Sequence, residues 1–393
     1  MLKTWRWFGK NDPITLSMLR QIGVEGVVTS LYHTPNGVVW EKSEIEDLKQ
    51  YIEREGLTWS VVESVPIHEA IKYGGANRDE LIENFRQTLV HLGESGIKTV
   101  CYNFMPVIDW IRTDLHKLLS DGSRTLFFDK IKFAFFDCKI LNRKDAEKDY
   151  SAEEIQKVND LAKTISEEEK DDLIDTIIIK TQGFISRKIA EEGEDPVAAF
   201  NKLLAHYDGI DREQLRDNLI CFLERILPTA EKYGIKLAIH PDDPPFSVFG
   251  LPRIVTNEED IAWILDAAKS ASNGLTLCAG SLSSGLNNDT VAIAKRFIEN
   301  THFVHLRSTE VFENGDFIEA PHLKGRGQLI ELIQLFEKNK PTLPMRVDHG
   351  KLMLDYIDKN YNPGYSFLGR MYALAQIDGV MATVNREIKQ KIA

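Results

Sequence analysis

Short apolar runs and amphipathic stretches take turns along most of this chain. Eight runs are rich in β-branched or aromatic residues: Thr4–Phe8, Gly26–Leu31, Trp59–Val65, Thr99–Met105, Leu237–Pro241, Leu275–Ala279, Phe303–Ser308 and Met345–Asp348. Runs of this kind read as strands. Between them the period becomes helical. After the third run, Leu81, Ile82, Phe85, Leu89 and Leu92 fall on one helix face. A faint internal echo marks where helices stop and strands begin: Gly56-Leu57-Thr58-Trp59, Gly96-Ile97-Lys98-Thr99 and Gly234-Ile235-Lys236-Leu237. Glycine ends a helix at little cost because it tolerates the left-handed conformation. Helix starts are marked too. Ser43 with Glu46, and Thr256 with Glu259, have capping-box spacing, and Asp12-Pro13 reads as an N-cap followed by Pro at the first helical position. Eight strands alternating with helices predict an α/β fold, a (β/α)8 TIM barrel, with an open doubly wound sheet as the fallback.

One stretch breaks the rhythm. Residues 110–211, after the fourth strand, are mostly charged and helical in pattern, as in Asp145–Asp160 and Ser166–Asp175. The 393 residues therefore read as a single barrel domain, 1–393, with a helical insertion at 110–211. An insertion that follows a barrel strand sits on the catalytic face, where long loops often act as lids. The expectation is a helical cap over the site. The plainer alternative is a surface or subunit-contact excursion.

Composition narrows the classes further. With 43% hydrophobic and 27% charged residues, a disordered, collagen-like or coiled-coil chain is excluded. A formal net charge of -12 argues against a nucleic-acid or anionic-lipid partner, which needs a basic footprint. No apolar run approaches membrane-spanning length and the first residues carry no signal segment. Cys101, Cys138, Cys221 and Cys278 are widely spaced, with no C-x-x-C. The expected setting is the reducing cytoplasm. The expected partners are a small molecule and further copies of this chain.

In a barrel, chemistry collects at the C-terminal strand ends. Four successive strands here end on metal-capable side chains: His240, Cys278, His305 and Asp348. Neighbouring strands lie about 4.8 Å apart, so ligands on four of them can converge on one ion. Two imidazoles, a thiolate and a carboxylate suit Fe, Mn, Co or Zn rather than Mg or Ca. Parity separates His302 from His305, which face opposite sides of their strand. His305 shares its side with Arg307, and Asp348 shares its side with Arg346. An arginine beside a ligand, twice over, is what a carboxylate substrate needs. Taken singly, each has a duller reading: Cys278 as a small core residue, His240 as a satisfied core histidine, Asp348 as a cap or ion-pair partner. The conjunction on four adjacent strand ends favours the metal reading.

Other polar residues sit at strand ends. Glu63 and Asn103 read as contacts to substrate hydroxyls or as orienters of ligands. Asp242 and Asp243 read equally as loop caps or substrate contacts. Tyr365, after the last strand, reads as an acid/base group or as packing. Cys101, deeper in its strand, reads as packing, and His33, His68, His91, His116 and His206 as ordinary residues.

These motifs, nearly end to end, resemble those of the mannonate dehydratase family. They include Thr4-Trp5-Arg6-Trp7-Phe8-Gly9 and Asn11-Asp12-Pro13, then Gly26-Val27-Val28-Thr29. Trp59 through His68 and Thr99 through Pro106 continue the match, followed by His240-Pro241-Asp242-Asp243-Pro244-Pro245, His305-Leu306-Arg307-Ser308 and Asn362-Pro363-Gly364-Tyr365-Ser366. The resemblance implies a xylose-isomerase-like barrel and a metal-dependent hydro-lyase. The reaction implied removes water from D-mannonate to give 2-dehydro-3-deoxy-D-gluconate in hexuronate catabolism. The resemblance also implies Mn2+ or Fe2+ on residues matching His240, Cys278, His305 and Asp348, with His349 and Tyr365 as catalytic groups. Arg307, Arg346 and Asn103 are the expected substrate contacts. Two departures are visible: Val347 stands where the family usually has Pro, and Ala279 where it often has Thr. The alternative is a metal-dependent sugar isomerase or epimerase on the same barrel, which has no use for the arginine pair.

Overall fold

The structure is a computed structural model that describes residues 1–182 and 193–392. Residues 183–192 of the expected insertion lie outside the described residues. Twelve strands are found among the described residues: β1 (Leu2–Arg6), β2 (Gly26–Thr29), β3 (Thr58–Glu63), β4 (Thr99–Tyr102), β5 (Asp114–Leu118), β6 (Arg124–Phe128), β7 (Lys236–Ile239), β8 (Asn273–Cys278), β9 (Thr301–Leu306), β10 (Ser308–Val311), β11 (Phe317–Ala320) and β12 (Pro344–Val347). Eight of them close into a parallel barrel in the order β1-β12-β9-β8-β7-β4-β3-β2. These are the eight runs read from the sequence, and the open-sheet fallback is excluded. Inside the barrel, Val28, Val61, Cys101, Ala238 and Phe303 form a small buried cluster. The outer strand faces pack on the helices in a much larger core that holds Leu81, Ile82, Phe85, Leu89 and Leu92 together, as their helical spacing requires.

Helix ends follow the sequence unevenly. Gly234 caps the helix Arg212–Tyr233 in the left-handed region, at φ 63°. The expected starts are displaced. The helix Lys42–Arg54 begins before Ser43, with Glu41 as N-cap and no side-chain cap bond. Its entry is set by buried Trp40, whose N–H donates to Thr88 and whose carbonyl meets His91. Asn257, not Thr256, caps the helix Glu258–Ala267, and Thr256 instead bonds Asp260. Asp12 accepts from the Phe8 and Ile14 amides, and the first helix starts later, behind Thr15. True capping boxes occur in the insertion, at Ser151 with Glu154 and Ser166 with Glu169.

The insertion differs from expectation in kind. It opens not as helix but as the hairpin β5–β6. That hairpin joins β10 and β11, from the loop after barrel strand β9, in a four-stranded antiparallel sheet ordered β10-β11-β6-β5. Phe128 lies opposite Phe317 in register, and their rings stack at 5.0 Å. The helices Lys130–Phe135, Ala152–Leu161, Glu167–Ile174 and Pro196–Ala205 follow. They share a second core with Phe249 and Phe317 that includes Phe133, Phe136 and Phe200. Among the described residues no helix is long and apolar enough to cross a membrane.

Candidate active site

Register sets the level of the site. Arg346 on β12 pairs with His305 on β9, and His305 pairs with Cys278 on β8. His240 follows β7 directly, and its amide donates to the Tyr102 carbonyl at 2.9 Å. The side chains of His240, Cys278 and His305 each offer a donor atom, all within 4.8 Å of one another. Asp348, just past β12, lies beside them, with Oδ2 3.8 Å from His305 Nδ1. The structure thus brings the four expected donors to one end of the barrel.

The His240 ring is oriented for a cation there. Its Nδ1 donates to the Pro241 carbonyl at 2.6 Å, which leaves Nε2 as the ring atom turned to the cluster. Nε2 lies 3.1 Å from His305 Nδ1. Burial opposes ionisation of Cys278, but Arg307 and His240 outweigh it and hold the thiol well below its ordinary value. Burial likewise opposes charge on His240, yet the neighbouring Cys278, Glu63 and Asp243 push it up to about 9, so the ring carries a positive charge beside the thiolate that a bound cation would replace by taking the place of the Nε2 proton. A thiolate beside two converging imidazole nitrogens is the donor set of a borderline-soft divalent ion. A deeper trio, Glu63, Cys101 and His305, also lies within reach of one ion. It fits poorly, because burial and Glu63 keep Cys101 protonated and Glu63 is already committed to arginines.

The two expected substrate arginines have internal partners. Arg346 forks onto Glu63 at 3.0 and 2.9 Å and reaches Asp348. Arg307 bonds Glu319 at 2.5 Å, Asp243 and the Ser281 hydroxyl, and forms an ion pair with Asp348, its Nε 3.0 Å from Oδ2. Arg112, from the insertion, completes the lattice, 2.9 Å from Asp243 and 2.7 Å from Glu319. Arg6 adds a contact to Glu63 at 3.0 Å. Charges this deeply buried persist only because each has a partner with good geometry. The arrangement fixes the orientation of Asp348 from two sides. Asp243 belongs to this lattice, whereas Asp242 caps a loop by accepting from the Ile254 and Val255 amides.

Replacing Arg112 by alanine should therefore lower unfolding stability by about 3–5 kcal/mol, as for removal of one partner from a buried pair. Denaturant unfolding checks this, and an unchanged midpoint would remove Arg112 from the lattice. The same lattice predicts acid sensitivity. Against the cost of burial, Arg307, His349 and Arg112 hold the Glu319 carboxyl down to about 2, from 4.5. A depressed carboxyl contributes its stability fully above the unfolded value. That contribution should fade as pH falls from about 4.5 towards 2, which a pH series of melting curves reads.

His349 and Tyr365 meet beside Asp348. His349 Nδ1 lies 3.1 Å from Glu319, and its ring packs edge-on to Tyr365 at 5.3 Å and against Trp110 at 5.2 Å. The Tyr365 hydroxyl donates to Asp348 Oδ1 at 3.1 Å. Burial, then Asp348, raises its pKa well above the ordinary phenol range. Gly364 is required next to it: its φ is 79°, and a Cβ there would meet His349 at 2.8 Å. Asn103 sits half-buried one residue past β4, with no hydrogen-bond partner among the described residues.

Sequence reasoning missed Glu319, Arg112 and Trp110. Glu319 lies on a hairpin that has no helical or barrel periodicity, and Trp110 and Arg112 stand at the mouth of a segment read as helical cover. The one available signal was the pair of apolar runs, Arg124–Phe128 and Phe317–Ala320, each bounded by a Gly- or Asn-containing turn.

The family described as D-mannonate dehydratase (UxuA) matches residues 1–391. The chain is 48% identical over 390 residues to a mannonate dehydratase of Marinomonas sp. (strain MWYL1), covering 97% of this chain and 98% of that protein. It is 45% identical over 396 residues to one from Chromohalobacter salexigens, covering 98% and 99%. The crystal structure of mannonate dehydratase from Streptococcus suis serotype2 superposes with a TM-score of 0.79 at 33% identity, covering 99% of this chain and 96% of that one. A barrel of this topology, matched across its whole length at this identity, makes the chain a member of the mannonate dehydratase family.

Proposed function

We propose that this protein removes water across C2 and C3 of D-mannonate, giving 2-dehydro-3-deoxy-D-gluconate in hexuronate catabolism. The observation that carries the chemistry is the donor cluster His240, Cys278 and His305 lying beside the pair His349 and Tyr365. The whole-chain family match favours this elimination over the isomerase or epimerase alternative.

The difficult step is loss of a proton alpha to a carboxylate, a weakly acidic position. His240, Cys278 and His305, with Asp348, would hold Mn2+ or Fe2+. Such a cation, when bound, supplies Lewis-acid stabilisation of the charge that develops on the substrate carboxylate. The chain does the rest. Glu319 at His349 Nδ1 favours the tautomer with a free Nε2, the atom suited to take the C2 proton. Tyr365 stays protonated through burial and its bond to Asp348, which suits it to protonate the leaving C3 hydroxyl. Arg307 and Arg346 add fixed positive potential in a water-poor site while they hold Asp348. Asn103 offers an uncommitted amide to a substrate hydroxyl. Four free cysteines support a reducing, cytoplasmic setting.

The test is one assay. Protein purified under reducing conditions is stripped with a chelator and given D-mannonate with and without Mn2+ or Fe2+. The expected result is 2-keto-3-deoxy acid only when metal is restored. Absence of product with both ions would overturn the substrate assignment, and product from fully stripped protein would overturn the metal.

A further inference from the structure

His322 lies two residues beyond β11 and is only 6% exposed. Its Nε2 is buried and has no hydrogen-bond partner among the described residues. It stands three residues after Glu319, which accepts from Arg307 and lies 3.1 Å from His349 Nδ1, in a turn pinned to the strand that follows Arg307. The charges of Glu319, Asp348, His349 and Arg307 all act on its ring. An unpaired buried ring nitrogen costs about 1–3 kcal/mol, so its retention beside the reacting groups calls for a use. It is not one of the clustered metal donors.

The backbone holds the ring there. Lys324 N–H donates to the Pro321 carbonyl at 2.8 Å, Arg326 N–H to the Thr309 carbonyl at 2.8 Å, and Gly327 N–H to Ser308 Oγ at 2.8 Å. Gly325 adopts φ 74°, and a Cβ on it would lie 2.7 Å from the Thr309 carbonyl. The turn is thus locked against β10, which fixes His322 with no hydrogen-bond partner for its Nε2 among the described residues. Rigid backbone support of a free polar group is how binding contacts are pre-organised.

We propose that His322 is a substrate-contacting residue that hydrogen-bonds a hydroxyl of the sugar acid's polyol chain, an inference that rests on the dehydratase reading. Burial keeps the ring neutral, with its pKa pushed down to about 4. A neutral imidazole offers a carboxylate little, but it matches a hydroxyl, which both donates and accepts. His322 therefore reads the chain of the substrate, while the cation site and His349 address its reacting end.

The experiment compares wild type, His322→Ala and His322→Gln, all metal-loaded, with D-mannonate as substrate. His322→Ala should raise KM about tenfold, the loss of one neutral hydrogen bond, and change kcat by much less. His322→Gln should recover part of the KM. Metal content and melting temperature should match wild type. Unchanged KM in both variants, with active wild type, would sink this inference alone. A raised KM that travels with lost metal or a lowered melting temperature would make His322 structural and overturn it too. A wild type that forms no product would remove the dehydratase reading and this inference with it.

Discussion

A Cys278→Ala variant should lose its divalent ion and, with it, turnover of D-mannonate. Changes to groups that merely orient a metal ligand cost about 10–100-fold in metal affinity. Removal of the thiolate itself should exceed that. Cys278 is fully buried, in register with His305, and its sulfur lies within 4.8 Å of donor atoms on both His240 and His305. Its ionised sulfur is the one donor in the cluster that brings full negative charge directly at the level of both imidazoles. Without it, two imidazoles and an Asp348 whose charge is already shared with Arg307 and Arg346 remain. The barrel should stay folded, because the thiol-to-methyl change removes little apolar contact, and circular dichroism would verify this. Metal analysis after gel filtration gives the answer. Stoichiometric Mn or Fe in the variant, with wild-type turnover, would remove Cys278 from the ligand set.

Tyr365→Phe should lower kcat by about 10²–10⁴, the usual contribution of a positioned proton donor. The substitution is selective. The ring's contacts with His349, Phe8 and the Arg370 guanidinium are retained, and only the hydroxyl on Asp348 is lost. Metal content and melting temperature should therefore stay close to wild type. A loss confined to kcat supports proton transfer at Tyr365. A loss confined to KM would make the hydroxyl a binding contact, and near-normal kinetics would exclude it from the mechanism.

The barrel was legible because each of its strands is a buried run closed off by local punctuation. Gly96-Ile97-Lys98-Thr99 ends a helix and starts β4 within four residues, so the signal needs no distant partner. The metal-capable residues were legible for the same reason: position at a strand end is readable locally. What stayed hidden depends on pairings between remote segments. Asp114–Leu118 has one buried residue and three exposed ones, and its neighbours in the sheet come from residues near 125 and, one strand further, near 317. No local period announces such a sheet. Glu319 was hidden with it, and so was the true situation of Arg307. Read in one dimension, an arginine beside a ligand looks free for substrate. In three dimensions Asp243 and Glu319, which sit 64 residues before and 12 residues after it, already hold it. The helix caps failed on a smaller scale, by one to three residues, where an anchored side chain such as Trp40 overrode the preferred start.

Loops on a (β/α)8 barrel usually vary one at a time, which is how the fold hosts so many chemistries. Here the loops after β4 and β9 are welded into one sheet through β6 and β11. They can drift only as a matched pair, because a change in the edge of one strand needs an answering change in the other. Grafting either loop alone from a relative of different specificity should give a misassembled mouth, whereas grafting both together transfers a complete wall. The unit of inheritance at this site is therefore two distant stretches of chain at once.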